Sequence, residues 1–114
     1  MTWQPLCRLD ALEDGGSQGF PAPPGSFIGL FAVRQAGTVY AYLNSCPHIG
    51  VPLDWLPNRF LSTDGRRIIC AMHGAEFTIA EGKCIAGPCL GDHLQPVPVR
   101  IEGDMVLVQD DALR

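Results

Sequence analysis

The chain has 114 residues and a mass of 12.3 kDa, which is enough for one ordinary domain. With 46% hydrophobic and 18% charged residues, its composition is that of a folded globular protein and not of a disordered one. A net charge of −4 and a pI near 5.1 argue against nucleic acid and anionic membranes as partners, because both attract basic patches. The longest apolar run, residues 27–33, is far shorter than the ~20 residues that span a bilayer.

The N-terminal residues do not combine a basic segment with an apolar stretch, so we expect no signal peptide and a reducing, cytoplasmic environment. In that environment cysteines are expected to be thiols or metal ligands and not members of a disulfide framework. The odd number of cysteines also agrees poorly with a fully paired set. They are Cys7, Cys46, Cys70, Cys84 and Cys89.

Thirteen glycines and ten prolines favour many turns and short strands over long helices. Residues 15–25, rich in both, are predicted to be a surface loop after a first strand. Short apolar or β-branched runs then predict three hairpins and one further strand. The first hairpin pairs residues 27–34 with 38–44, and the strand covers residues 66–70. The other two hairpins pair 76–79 with 83–86 and 97–101 with 105–108. Prolines 88, 96 and 98 keep the segment around them extended. Only residues 53–61 could hold a helical turn, interrupted by Pro57, so the sequence predicts an all-β antiparallel domain with long loops after Ser45 and Cys70.

Each of those two loops carries a cysteine and a histidine at close spacing. The first is C-P-H-I-G at residues 46–50, and the second is C-A-M-H-G at residues 70–74. Two matched clusters favour a metal site over a purely structural role. Four nitrogen and sulfur ligands suit either a tetrahedral zinc ion or a 2Fe–2S cluster in which two histidines replace two cysteines on one iron.

The two clusters resemble the ligand boxes of Rieske iron–sulfur domains. Residues 86–89, A-G-P-C, look like the proline loop of that family, and residues 94–99, L-Q-P-V-P-V, resemble its return to the base of the domain. The resemblance covers residues 27–108, with a gap between the boxes a few residues longer than usual, which we place in residues 56–65. It implies a small antiparallel Rieske-type β-sandwich, with residues 1–114 as one domain and a cluster-binding subdomain at about residues 45–93.

The resemblance also implies the cofactor and its ligands. Cys46 and Cys70 would hold the inner iron of a Rieske-type 2Fe–2S cluster, and His48 and His73 the outer iron. Neutral imidazoles carry less negative charge than thiolates, so such a cluster is easier to reduce than one held by cysteines alone.

Four further positions bear on the reduction potential. Where high-potential members of the family carry a second cysteine in each box, this chain has Val51 and Met72, so no disulfide can join the boxes. Where they place hydroxyl groups near the cluster sulfurs, this chain has Ala75 and Phe77. Missing hydrogen bonds to sulfur lower the potential, which we expect on the order of −150 to −50 mV, at the low end of the Rieske range.

The sequence favours an electron carrier over an enzyme. Outside the expected ligand set only His93 remains, so the two histidines and one carboxylate of a mononuclear iron site do not fit. There is no G-x-G-x-x-G motif and no histidine to spare for a Ser–His–Asp triad. We therefore expect a stand-alone, low-potential Rieske ferredoxin that takes electrons from a flavin-dependent reductase and passes them to a terminal oxygenase. The alternatives are a small Rieske-like subunit of a larger reductase, as in nitrite reductase assemblies, and a zinc-stabilised interaction module.

The remaining polar and cysteine side chains receive structural interpretations. His93 is predicted to be an exposed loop residue, Cys7 a packing residue, and Cys84 and Cys89 thiols in preference to a disulfide. Four acidic side chains near the boxes either steer a basic partner or are simply solvated. They are Asp54, Glu76, Glu81 and Asp92.

Three apolar side chains follow the first box, at Leu53, Trp55 and Leu56. We interpret them first as core packing beneath the loop. The alternative is a small docking patch for redox partners, whose transient contacts need little area.

Overall fold

The computed structural model of the chain describes residues 3–20, 29–45, 60–62, 64–70, 74–87 and 90–109. Within these ranges the chain is almost entirely β-structure, and every strand pairing is antiparallel. The strands are β1 Trp3–Arg8, β2 Gly16–Phe20, β3 Leu30–Gln35, β4 Thr38–Leu43, β5 Arg67–Cys70, β6 Ala75–Thr78, β7 Cys84–Ala86, β8 Pro96–Val97, β9 Val99–Glu102 and β10 Met105–Gln109. One 3-10 helix, Leu9–Ala11, follows β1. The all-β fold class predicted from the sequence is confirmed, and none of the helices described is long and apolar enough to cross a membrane.

The described strands form three small sheets, in the orders β1-β10-β9, β2-β3-β4-β8 and β5-β6-β7. Only Pro98 separates β8 from β9, so the chain passes there from the edge of one sheet to the edge of another. Proline lacks the N–H group that a ladder needs, which suits it to such a change of sheet.

The predicted hairpins are confirmed where the structure describes them. β3 and β4 pair from Leu30 with Leu43 to Gln35 with Thr38. Their turn, Ala36–Gly37, has positive φ angles of 52° and 80°, the backbone that matches the twist of a tight hairpin. The hairpins β6–β7 and β9–β10 turn at the predicted glycines, Gly82 and Gly103.

The prediction of a surface loop at residues 15–25 is wrong for its first half. β2 pairs with β3 along its whole length, from Gly16 with Arg34 to Phe20 with Leu30. Glycine and serine have little preference for strands, so the sequence of β2 gave no strand signal. This edge strand is held by backbone hydrogen bonds to the buried β3 and not by its own side chains. Residues 21–25 lie outside the described ranges, as do residues 53–59, where a helical turn was predicted.

The largest core cluster joins the four-stranded sheet to the sheet β5-β6-β7. Phe31 of β3 stacks on Phe60, with ring centroids 4.4 Å apart and planes 6° from parallel. Phe77 of β6 and Leu94 are buried in the same cluster. Burial of these apolar side chains stabilises the contact between the two sheets.

Tyr42 on β4 connects the two sheets with a polar bond. Its hydroxyl donates to the carbonyl oxygen of Ile79, just beyond β6, over 2.6 Å. Its ring lies so close to Gly82 that a Cβ built on that residue would come within 2.7 Å of the ring. Burial raises the pKa of Tyr42 to about 12, with smaller contributions from Tyr40 and Glu81.

We expect Tyr42→Phe to lower the free energy of unfolding by about 1–3 kcal/mol, because the buried Ile79 carbonyl loses its donor. The native protein should also lose stability as the pH rises from about 10 to about 12, because unfolded tyrosine ionises while Tyr42 in the folded chain keeps its proton. Urea unfolding across that pH window measures both effects. Tyr40→Phe, on the same strand but half-buried, is the control. Equal losses in the two variants would contradict the assigned role of Tyr42.

Candidate metal centre

The second box begins at the end of β5. Cys70 is the last residue of that strand, has no exposed surface, and lies opposite Ala75 of β6. The loop between them is closed by the Gly74 N–H, which donates to the Cys70 carbonyl over 2.9 Å. Cys70 shares its apolar surroundings with Phe31, Phe60 and other core residues. This is a suitable environment for a soft thiolate ligand of a buried metal. His73 of this box lies outside the described residues.

The first box follows β4, and the structure describes the chain up to Ser45, the residue before the box. The Leu43 N–H donates to the Gln95 carbonyl and the Asn44 N–H to the Gly29 carbonyl, both over 2.9 Å. The Ser45 N–H then donates to the Leu43 carbonyl over the same distance. These bonds fix the backbone immediately before Cys46. Cys46 and His48 themselves lie outside the described residues.

Gly87, in the segment resembling a proline loop, packs against Ala75, the residue that follows the second box. Gly87 has a φ of +97°, and a Cβ built on it would lie 2.7 Å from the Ala75 Cα. Hence the backbone of this loop touches the residue that leads out of the second box. A side chain at position 87 would prevent that approach.

Backbone bonds also close the base of this loop. The Cys84 N–H donates to the Asp92 carbonyl over 2.9 Å, and the Gly91 N–H to the Cys84 carbonyl over 3.5 Å. The Leu90 N–H donates to the Gly87 carbonyl over 3.3 Å. Pro88 and Cys89, between these partners, lie outside the described residues.

One packed core holds the strands that precede the two boxes. Phe31 lies opposite Tyr42 of β4 and stacks on Phe60, whose carbonyl accepts the Ile69 N–H over 2.8 Å. Ile69 immediately precedes Cys70. The strand before the first box and the strand before the second are therefore linked through aromatic packing and one backbone bond.

The two positions expected to lack hydroxyl groups near the cluster are both fully buried. Ala75 and Phe77 have no exposed surface and belong to the same core cluster as Cys70. Their side chains supply no hydrogen-bond donor. This agrees with the chemistry on which the low predicted potential rests.

Two cysteines outside the boxes, Cys84 and Cys7, lie in the described ranges. Cys84 is buried, and its thiol donates to the Ala86 carbonyl over 3.2 Å. Cys7 is half-buried and packs against the core cluster that contains Leu12 and Val106, which confirms it as a packing residue. Burial raises the pKa of the Cys7 thiol, so the reactive thiolate is less populated there.

The remaining predicted residues have simple positions or lie outside the described ranges. His93 is exposed, as predicted, and forms an isolated bridge with Lys83. Glu81 and Asp92 are exposed and Glu76 is half-buried. The residues outside the described ranges are Val51, Leu53, Asp54, Trp55, Leu56 and Met72.

The part of the chain that the structure describes contains no group of three or more His, Cys, Asp or Glu side chains poised around a metal. Three of the four expected ligands are outside that part. Sequence reasoning missed two contacts that shape the surroundings, the approach of Gly87 to Ala75 and the bond from Tyr42 to Ile79. The only local signal for the approach of Gly87 to Ala75 was a glycine placed before Pro88. The sequence around Tyr42 gave no signal that its hydroxyl bonds to a distant carbonyl.

The described structure is a small antiparallel β domain of three sheets, with a Cys/His box in the sequence after each of two strands and Gly87 packed on the residue that follows one box. The family model described as Rieske [2Fe-2S] domain matches residues 2–109. The chain therefore belongs to the Rieske [2Fe–2S] family, and the expected cofactor, a Rieske-type 2Fe–2S cluster, is confirmed. The match extends further towards the N-terminus than the resemblance seen in the sequence.

The chain is similar to individual ferredoxins over nearly its whole length. It is 30% identical over 107 residues to the ferredoxin component of the naphthalene 1,2-dioxygenase/salicylate 5-hydroxylase systems of Ralstonia sp., covering 94% of each chain. Among solved structures, the ferredoxin of carbazole 1,9a-dioxygenase from Nocardioides aromaticivorans IC177 has a TM-score of 0.75 at 27% identity, covering 95% of this chain and 97% of that one. The Sphingomonas yanoikuyae B1 ferredoxin has a TM-score of 0.72 at 27% identity, covering 94% and 97%.

Proposed function

We propose that this protein is a Rieske ferredoxin that carries single electrons from a flavin-dependent reductase to a terminal oxygenase. The observation that carries the proposal is the match over 94% of both chains with a ferredoxin component of a dioxygenase system. When bound, the cluster supplies a centre that accepts and releases one electron. The protein holds that centre, shields it from water on one side, and sets its potential.

The proposed ligands are Cys46 and Cys70 on the inner iron and His48 and His73 on the outer iron. The complete burial of Cys70 at the end of β5 supports a thiolate on the inner side. The apolar residues around Cys70 exclude water from that side. The Gly74-to-Cys70 backbone bond holds together the ends of the loop that contains His73.

We further propose that residues 45–93 form a cluster-binding subdomain within a single domain of residues 1–114. The sheet β5-β6-β7 lies wholly inside that range, whereas the other two sheets are built from residues before and after it. For localisation we propose the cytoplasm, on the similarity to a ferredoxin component of a bacterial dioxygenase system.

The purified holoprotein should contain about two iron atoms and about two acid-labile sulfides per chain. It should be coloured and give an EPR signal once reduced. A reductase and a terminal oxygenase should reduce and reoxidise it in turn. Colourless protein that contains zinc would instead support the interaction module. Elution only as part of a larger enzyme on size exclusion would support the reductase subunit.

We expect a midpoint potential of about −150 to −50 mV in a redox titration. Ala75→Ser should raise it by about 40–85 mV, because a hydroxyl that stabilises the reduced cluster by about 1–2 kcal/mol shifts a one-electron couple by about 59 mV per 1.4 kcal/mol. Ala41→Ser is the matched control, since Ala41 is also buried but belongs to a different core cluster. A native midpoint above about +100 mV, or an equal shift in both variants, would contradict this assignment.

A further inference from the structure

Strand β9 is an edge strand of the described sheet β1-β10-β9. It pairs with β10 on one side, and no strand in the described ranges pairs with the other. Its last three residues, Arg100, Ile101 and Glu102, are all exposed. Ile101, at 40%, is one of three exposed large apolar side chains among the described residues. Such an edge is a template for pairing with another chain.

The opposite edge of the same sheet is protected, and β9 is not. The edge strand β1 contains Pro5, which has no N–H group, and its register with β10 shifts between Pro5 and Cys7. A proline and a bulge are two of the usual devices against edge-to-edge pairing. β9 contains neither: Pro98 precedes it, and its four residues pair with β10 in regular register.

The hydrogen bonds to β10 show which backbone groups of β9 face outward. The Gln109 N–H donates to the Pro98 carbonyl over 3.3 Å, and these two residues lie directly opposite each other. In an antiparallel ladder, alternate residues turn their N–H and C=O groups towards the partner strand. Arg100 and Glu102 therefore bond to β10, and Ile101 presents its N–H and C=O to the open edge.

The side chains of β9 are complementary to those of an identical antiparallel strand. Arg100 and Glu102 lie on one face of the sheet and form an ion pair of 3.4 Å, while Ile101 between them lies on the other face. If Ile101 is placed opposite Ile101 of a second copy, each Arg100 falls opposite Glu102 of the other copy. This register makes two cross-strand pairs of opposite charge and one apolar pair, all related by a two-fold axis.

We propose that β9 is a self-association edge, at which two copies of this chain pair antiparallel about Ile101. The product is a continuous six-stranded sheet with the two β9 strands at its centre. None of the expected cluster ligands lies on β1, β9 or β10, so none of them belongs to the strands of the paired sheet. This inference is independent of the identity of the redox partners.

Sedimentation velocity of the holoprotein, from about 10 µM to about 1 mM, tests the proposal. We expect reversible dimers in the native protein. Arg100→Glu and Glu102→Arg, each alone, should weaken dimerisation at least about tenfold, because each places like charges opposite each other twice. An equimolar mixture of the two variants should dimerise again, since every reversed charge then faces its opposite in the other variant.

Lys83→Glu is the matched control, because it reverses an exposed cation outside the sheet β1-β10-β9. It should leave the dimerisation constant within about twofold of the native value. Native protein that stays monomeric throughout the concentration range would overturn the proposal that a second copy binds at β9. Dimers that neither single variant weakens, or single variants whose mixture fails to dimerise, would overturn it as well.

Discussion

His73→Ala is expected to abolish the Rieske optical and EPR spectra of the purified protein. The outer iron would lose one of only two nitrogen ligands, and the neighbouring Met72 and Gly74 offer no comparable donor. His73→Cys should instead change the spectrum, because a thiolate adds negative charge and lowers the potential. The same loss of the Rieske spectra is expected when alanine replaces Cys46, His48 or Cys70.

The matched control for these ligand variants is His93→Ala. His93 is exposed and pairs only through a backbone bridge with Lys83 in the described structure, so its loss should leave the spectra unchanged. Cys84→Ser serves the same purpose for the cysteines, since Cys84 is a buried thiol outside the boxes. An unchanged spectrum in His73→Ala, with iron still bound, would remove that residue from the ligand set.

Gly87→Ala is expected to have the second largest effect, a loss of about 3 kcal/mol or more in the free energy of unfolding, together with faster loss of the cluster. Two causes add. The φ of +97° strains any residue with a Cβ, and the new methyl group would lie 2.7 Å from the Ala75 Cα. Since the clash is with backbone, the loop must move away from the second box. Urea unfolding and the decay of cluster absorbance measure the two consequences.

Gly91→Ala separates the clash from the strain. Gly91 has almost the same φ, +96°, but a Cβ built on it meets nothing within 4 Å. This variant should therefore lose only about 1–2 kcal/mol and keep the native rate of cluster loss. If Gly87→Ala and Gly91→Ala behave alike, the contact between Gly87 and Ala75 has no special role in holding the cluster.

Local sequence was enough to predict most of the hairpins and the chemistry of the metal centre. The turn at Ala36–Gly37 joins two runs of alternating or apolar residues, and both the backbone conformation and the pairing follow from a few neighbouring residues. The Cys/His boxes are likewise readable, because ligand type and spacing are local properties. The family match bears out the 2Fe–2S cofactor, whereas the four ligand positions remain a proposal.

Contacts between distant segments could not be obtained in that way. β2 is a strand because β3 offers it a ladder, although Gly16 and Ser17 have little strand preference of their own. The donation from Tyr42 to Ile79 and the approach of Gly87 to Ala75 depend on how two sheets and a loop come together. The edge position of β9 among the described strands is also a property of the assembled sheet, since its sequence does not show which of its sides pairs with β10. Turn geometry and ligand chemistry depend on residues that are adjacent along the chain. Sheet edges, hydrogen bonds between sheets and close backbone contacts exist only once non-local packing has brought remote residues together.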